Sequence, residues 1–167
     1  MSIAVAKPDA TIRPLRSADL ERIVAIDSGH IGEPRRRFFE KRLAHAKQHP
    51  EDFVHVGVTR NGALVGFVFA RILRGEFGRD QAVATLDAVG VEHDSQERGV
   101  GHALMNALTK AMCEKKVQSL RSQAEWTNHG LLKFFDASGF RLAPCLVLER
   151  SVMLPLVEPV EGSNERE

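Results

Sequence analysis

Residues 84–104 read ATLDAVGVEHDSQERGVGHAL. The first half is almost unbrokenly apolar, and the whole run from Ala82 to Val91 predicts a central strand buried on both faces. The second half sets Gly99 and Gly101 on either side of Val100. From there the period changes: Val100, Ala103, Leu104, Ala107, Leu108, Ala111 and Met112 recur at helical spacing. A helix leaves its first amide N–H groups without internal partners, and with the helix dipole they form a seat for an anion such as phosphate. Glycine, lacking Cβ, lets a bulky anion approach the backbone. Arg98 and Lys110 add positive charge nearby. The same residues serve equally as a tight strand-to-helix turn in which glycine is needed for geometry alone. Two familiar phosphate loops are excluded. No Gly-Lys-Ser/Thr ends this loop, and position 104, where a dinucleotide fingerprint needs its third glycine, is Leu.

Outward from this segment the chain reads as an alternation of strands and helices. Thr11–Leu15 predicts a short strand, and Ser17 offers an N-cap for a helix bearing Leu20, Ile23 and Val24, which Gly29 stops. Pro34 suits the first position of a second helix, whose buried face is Phe38, Phe39, Leu43 and Ala46. Phe53–Arg60 and Ala63–Leu73 read as strands joined at Asn61-Gly62, a strong hairpin signal. Gly75–Asp80 is a polar loop. Ser119–Trp126 predicts a strand, Asn128 caps a short helix ended by Gly139, and Phe140–Leu154 gives one or two more strands. The strand–helix–strand from Ala82 to Trp126 implies a parallel, right-handed crossover. The fold class expected is α/β (α+β), a mixed sheet flanked by helices, formed by one domain over residues 11–155 with flexible tails at 1–10 and 156–167.

Composition narrows the function classes. The 23 basic and 22 acidic residues leave a net charge of +1, which argues against general binding of nucleic acid or of a membrane surface. Cys113 and Cys145 are too few for a disulfide framework or a zinc site, and the seven histidines are scattered, so no metal is expected. The opening MSIAVAKPDA lacks the apolar stretch of a secretion signal, and no apolar run approaches a membrane span. A reducing cytoplasm is the expected setting.

The segment Gln96-Glu97-Arg98-Gly99-Val100-Gly101 after a buried strand resembles the coenzyme A pyrophosphate loop of the Gcn5-related N-acetyltransferases (the GNAT superfamily). Residues 84–104 are similar without gaps to that family's fourth strand, loop and third helix. Asn128 followed by FFDASGF (134–140) resembles its fifth-strand exit and fourth helix, and the likeness covers roughly Thr11–Met153. The resemblance implies a mixed, mostly antiparallel sheet of six to seven strands, splayed between strands 4 and 5 and flanked by four helices. It implies acetyl-CoA as co-substrate and an amine as acceptor. The backbone of Gln96, Glu97, Arg98, Gly99, Val100, Gly101 and His102 would hold the pyrophosphate. Val89, Gly90 and Val91, beside a bulge in the fourth strand, would pair with the amides of the pantetheine arm, and Asn128 and Phe135 would border the same arm. The C-terminal strand is available to pair with a second copy of the chain.

Two positions depart from the family pattern. Many members carry, where Phe135 stands, a tyrosine that protonates the leaving thiolate; this chain contains no tyrosine. Gln123 stands where some members carry a glutamate base. A thiol with a pKa of ~8.5 leaves tolerably without an acid, whereas an amine with a pKa of ~10.4 must lose a proton to react. Asp87 is the first candidate base, as the one charge in the strand Ala82–Val91, where a carboxylate is costly unless paired or functional. It is assigned a face shared with Thr85, Val89 and Val91; the alternative is a structural pair with an arginine such as Arg71 or Arg121. Glu76, in the loop before that strand, is the second candidate, and Glu125 a weaker third. Arg35, Arg36, Arg37, Lys41 and Arg42 form a basic cluster that reads best as a solvated helix face. His30 stands in a loop, and Trp126 reads as core. The missing tyrosine and Gln123 keep open a second class, a non-catalytic acyl-CoA-binding sensor.

Overall fold

The structure is a computed structural model that describes residues 10–96 and 98–153. Five strands form one sheet in the order β1-β2-β3-β4-β5: β1 Ala10–Pro14, β2 Phe53–Arg60, β3 Ala63–Leu73, β4 Val83–Val91 and β5 Ser119–Arg121. The first four are antiparallel neighbours, and β4 and β5 run parallel, as a strand–helix–strand unit requires. Four helices complete the fold: α1 Leu20–Ile31, α2 Arg36–Gln48, α3 Val100–Glu114 and α4 His129–Ala137. Asn61 and Gly62 turn the β2–β3 hairpin with φ of 50° and 80°, the left-handed pair that a two-residue turn demands.

The sheet separates two cores. On one face α3 lays Val100, Leu104, Met105, Leu108 and Met112 against Val54, Val56, Val58, Val68, Ala84 and Leu86. On the other, α1 and α2 bring Ile23, Ile26, Phe39 and Leu43 onto Phe67, Phe69 and Ala88. Phe39, Phe67 and Phe69 are fully buried with ring centroids 5.2–5.7 Å apart. Burial of each such side chain stabilises the fold by about 1.5–3 kcal/mol, with a further increment from the edge-to-face contacts.

Several boundaries differ from the sequence reading, each for a local reason. α1 runs through Gly29 to Ile31, and Gly32, at φ 84°, is the residue that turns the chain out of the helix. Ser17 opens a short 3-10 turn, Ser17–Asp19, ahead of α1, and the Asp19 carboxylate holds that turn by accepting from Arg16 N–H at 2.7 Å and from both Nη atoms of Arg13. α2 begins at Arg36, so Pro34 lies just before the helix. β5 stops at Arg121 rather than reaching Trp126, and Trp126 is 80% exposed instead of entering the core. Residues 140–153 contain no strand, so the sheet has five strands among the described residues, not six or seven. Leu154 and the expected tails, apart from Ala10 at the start of β1, lie outside the described residues.

Candidate functional site

β4 and β5 pair over only three residues, Val83↔Ser119, Ala84↔Leu120 and Thr85↔Arg121. Ser122 Oγ then donates to Leu86 O at 3.2 Å, and beyond it the two strands part. β4 continues along β3 to Val91. Glu92 N–H donates to Val65 O, so main-chain groups of alternate residues, Gly90 and Glu92, face β3. Those of Val89 and Val91 therefore face away from β3, along the edge that β5 has left. Among the described residues this edge is a row of N–H and C=O groups without a strand partner, available to an amide-bearing ligand except where a side chain reaches Val91 O. At its end Val91 O lies 2.7 Å from His30 Nε2. A carbonyl only accepts, so Nε2 carries the proton. His30 belongs to α1, not to a loop, and packs 4.8 Å from the His93 ring, whose Nε2 reaches Gly29 O.

A register shift interrupts β4 where the pairing changes from Phe69↔Ala88 to Ala70↔Leu86, which leaves Asp87 as the extra residue of a bulge. The bulge flips the sidedness of the strand. Before it, Ala84 and Leu86 enter the α3 core; after it, Val89 and Val91 do so, while Ala88 joins the α1–α2 core. Asp87 reaches the α1–α2 side instead of sharing a face with Val89 and Val91. Its carboxylate is only 8% exposed and is held on both oxygens: Arg71 Nε donates to Oδ1 and Arg42 Nη2 sits on Oδ2, each at 3.1 Å. Arg71 is one of the two partners expected from the sequence. Arg42, from α2, takes the place of Arg121.

Past Val91 a short turn, His93–Ser95, leads to Gly99 at φ 77°, and α3 begins. Ala103 N–H donates to Gly99 O at 2.9 Å, and among the described residues the N–H groups of Val100, Gly101 and His102 have no partner one turn back. The two glycines have different causes. A Cβ on Gly99 would meet nothing within 4 Å, so this residue supplies the left-handed turn and leaves open space before the amides. A Cβ on Gly101 would come within 2.8 Å of the Phe134 ring, so this glycine lets α4 close on α3. The turn is anchored from below by Val100, 2% exposed, whose Cγ1 occupies the space above Gly66. From the side, Arg60 at the end of β2 donates from Nη2 to Arg98 O at 3.2 Å. Sequence reasoning missed Arg60, because a charged residue before a hairpin turn looks like ordinary surface. Gln96 Nε2 points back to Val91 O at 3.5 Å. Glu97 lies outside the described residues.

Other named residues are distributed around this line. Asn128 caps α4, its Oδ1 accepting from Leu131 N–H at 3.1 Å. Phe135 is buried in the α3 core with its ring 4.7 Å from Phe140. Glu76 sits in the turn Glu76–Gly78, before β4 begins, while the glycine loop follows its other end. A nine-residue strand separates the two by roughly 25–30 Å. Next to it Phe77 is 86% exposed with φ 54°, a backbone a bulky residue seldom adopts. The basic cluster is largely paired: Arg35 forms a two-point bridge to the buried Asp27 at 2.6 and 2.9 Å, and Arg36 meets Glu21. The Asp27 and Glu21 carboxylates raise the pKa of these arginines further. Below α2, His55 stacks 4.3 Å from Phe69, with neither ring nitrogen hydrogen-bonded. Burial first, and the Arg42 charge second, push its pKa down to about 4.

The architecture has known counterparts. A family model described as the acetyltransferase (GNAT) family matches residues 18–140. A [ribosomal protein bS18]-alanine N-acetyltransferase of Escherichia coli K12 is 24% identical over 133 residues, which cover 80% of this chain and 82% of that protein. Among solved structures, the aminoglycoside N-acetyltransferase AAC(6')-Iy in complex with CoA superposes with a TM-score of 0.74 at 20% identity, covering 90% of this chain and 99% of that one. A ribosomal-protein-alanine N-acetyltransferase from Brucella melitensis biovar Abortus 2308 superposes with a TM-score of 0.67 at 19% identity, covering 85% and 99%. A strand edge left open beside a helix with free leading amides, within a sheet of this order and over a match of this extent, means that the chain belongs to the acetyltransferase (GNAT) family, enzymes that take an acetyl group from acetyl-CoA.

Proposed function

We propose that this protein transfers the acetyl group of acetyl-CoA to a primary amine by direct attack in a ternary complex. The observation that carries the reading is the order of open groups along one line: the β4 edge at Val89 and Val91, then the unpaired amides at the start of α3. That order matches an arm with amide groups that ends in a diphosphate. The pantetheine arm lies along Val89–Val91 and the diphosphate on the amides from Gly99 to His102, with Gln96 and Arg98 on the approach to them. The thioester then sits near the bulge, where a strand N–H polarises its carbonyl as negative charge develops. The amine attacks, the C–N bond forms, the C–S bond breaks, and coenzyme A leaves as a thiolate. Phe135 supplies no proton, and a thiolate needs none. Positioning of the two reactants supplies much of the rate.

The amine must shed a proton. Of the two roles open to Asp87, its guanidinium partners support the pairing one: with both oxygens occupied it lacks a free acceptor until an arginine moves. Water then carries the proton, Asp87 keeps Arg42 and Arg71 in place, and Glu76 is the second carboxylate to test. The relatives named for ribosomal-protein alanine and for aminoglycosides support an amine acceptor of either peptide or small-molecule kind. No helix among the described residues is long and apolar enough to cross a membrane, and we place the enzyme in the cytoplasm.

Release of free thiol from acetyl-CoA, followed across peptide N-termini, lysine peptides, polyamines and aminoglycosides, tests the reading. Asp87→Asn is expected to lower kcat about tenfold or more without moving the pH of half-maximal rate, because an ordered wall is lost rather than a base. Loss of the acidic limb of the pH profile makes Asp87 the base. Coenzyme binding with no thiol release from any amine selects the sensor instead.

A further inference from the structure

Arg60 ends β2 at the hairpin, yet its side chain crosses to the glycine loop, where Nη2 donates to Arg98 O at 3.2 Å. Its Nε is buried and has no hydrogen-bond partner among the described residues. In a trans peptide the C=O and the following N–H point in opposite directions. A carbonyl of Arg98 held towards Arg60 therefore turns the Gly99 N–H away from that side chain. Gly99 is left-handed, at φ 77° and ψ 6°, and the helix begins directly after it. A left-handed residue beside right-handed ones gathers successive N–H groups into a concave anion nest. The Gly99 amide, set by Arg60, thus joins the unpaired amides of Val100, Gly101 and His102.

From this geometry we propose that Arg60 is a positioning residue for the diphosphate of acetyl-CoA. It locks the Arg98–Gly99 peptide with its N–H towards the ligand, and it places one fixed guanidinium charge beside the nest. The inference rests on the coenzyme reading given above and extends it to a residue from another element. It also gives the charge a job at this spot. The guanidinium holds the carbonyl through one N–H of a rigid planar group, whereas a lysine ammonium reaches the same place only as a mobile point charge.

Calorimetric titration of the folded full chain separates the possibilities, with coenzyme A, dephospho-coenzyme A and pantetheine as probes. Arg60→Gln is expected to weaken coenzyme A and dephospho-coenzyme A alike, by about tenfold or more, and to leave pantetheine within about twofold of wild type. In turnover, KM for acetyl-CoA rises while kcat holds. Arg60→Lys, which keeps the charge and loses the planar donor, is expected to fall between wild type and Arg60→Gln, and serves alone if Arg60→Gln does not fold. Equal loss for pantetheine makes Arg60 a general structural support and overturns the proposal. So does a loss confined to coenzyme A, which assigns the contact to the 3′-phosphate, or unchanged binding of all three in both variants. If wild type itself binds no coenzyme A, the coenzyme reading fails first, independently of Arg60.

Discussion

His55 is a histidine kept neutral by its surroundings. It lies between Phe53 and Phe69 beneath α2, and its pKa of about 4 stands well below the ordinary 6.5. The unfolded chain takes up this proton near pH 6.5 and the folded chain only near pH 4. Between those values the unfolded state binds more protons, so stability falls as the pH falls, by up to about 3 kcal/mol across the window. His55→Phe fits the same aromatic slot and carries no proton. Urea midpoints at pH 7 and pH 4.5 are expected to differ more in wild type than in the variant, by about 2 kcal/mol expressed as free energy. An equal acid sensitivity in both proteins would show that other groups cause it.

At the level of elements, β4, its loop and α3 contain the two glycines that the structure separates. Gly99→Ala places a methyl in open space at a strained φ, which costs about 1 kcal/mol. Because that space lies before the unpaired amides, its larger effect is expected on coenzyme A affinity. Gly101→Ala pushes on the Phe134 ring and should cost about 1–3 kcal/mol of stability. Combined with Phe134→Ala it should cost clearly less than on its own, as a thermal-melt double-mutant cycle would reveal. Sequence alone made the element order from β1 to α4 legible, because an apolar run of strand length and a helical apolar period are strong local signals, whereas the strands expected after Phe140 are absent among the described residues. The Asn61-Gly62 hairpin was legible for the same reason. The partners of Asp87 were not: Arg42 and Asp87 are brought together by the docking of α2, which no local pattern encodes. Nor was the end of β5 at Arg121, which is set by where pairing with β4 stops rather than by any local break signal in Ser122–Trp126. Arg60 was invisible as a site residue and His30 reads as a lone loop histidine, because each reaches a backbone carbonyl distant in sequence.

The whole molecule is a sheet with a separate core on each face and an opening between its last two strands. A ligand that fills the opening ties β4, α3 and the exit of β5 together, so it stabilises the fold by mass action. At a concentration of 100 Kd, coenzyme A is expected to add about 2.7 kcal/mol, which for a chain of this size raises Tm by roughly 5–10 °C. Pantetheine, with no diphosphate for the α3 amides, should need a higher concentration for the same rise. An unchanged melting curve at saturating coenzyme A would contradict the site.

The extra residue in β4 acts as a frame shift written in space. Every side chain beyond Asp87 serves the side of the sheet opposite to the one that simple alternation assigns it. Deleting Asp87 would therefore close the bulge without shifting the frame: Leu86 and Ala88 become neighbours opposite Ala70 and Phe69, and Val89 and Val91 keep their present side of the sheet. Taking Asp87 into regular pairing is what would swing Val89 and Val91 towards Ile26 and Phe67, where Gly90 now leaves just enough room. A one-residue deletion there should keep the sheet assembled and lose the local bend together with the carboxylate that holds Arg42 and Arg71, whereas Asp87→Ala keeps the bend and loses the carboxylate alone.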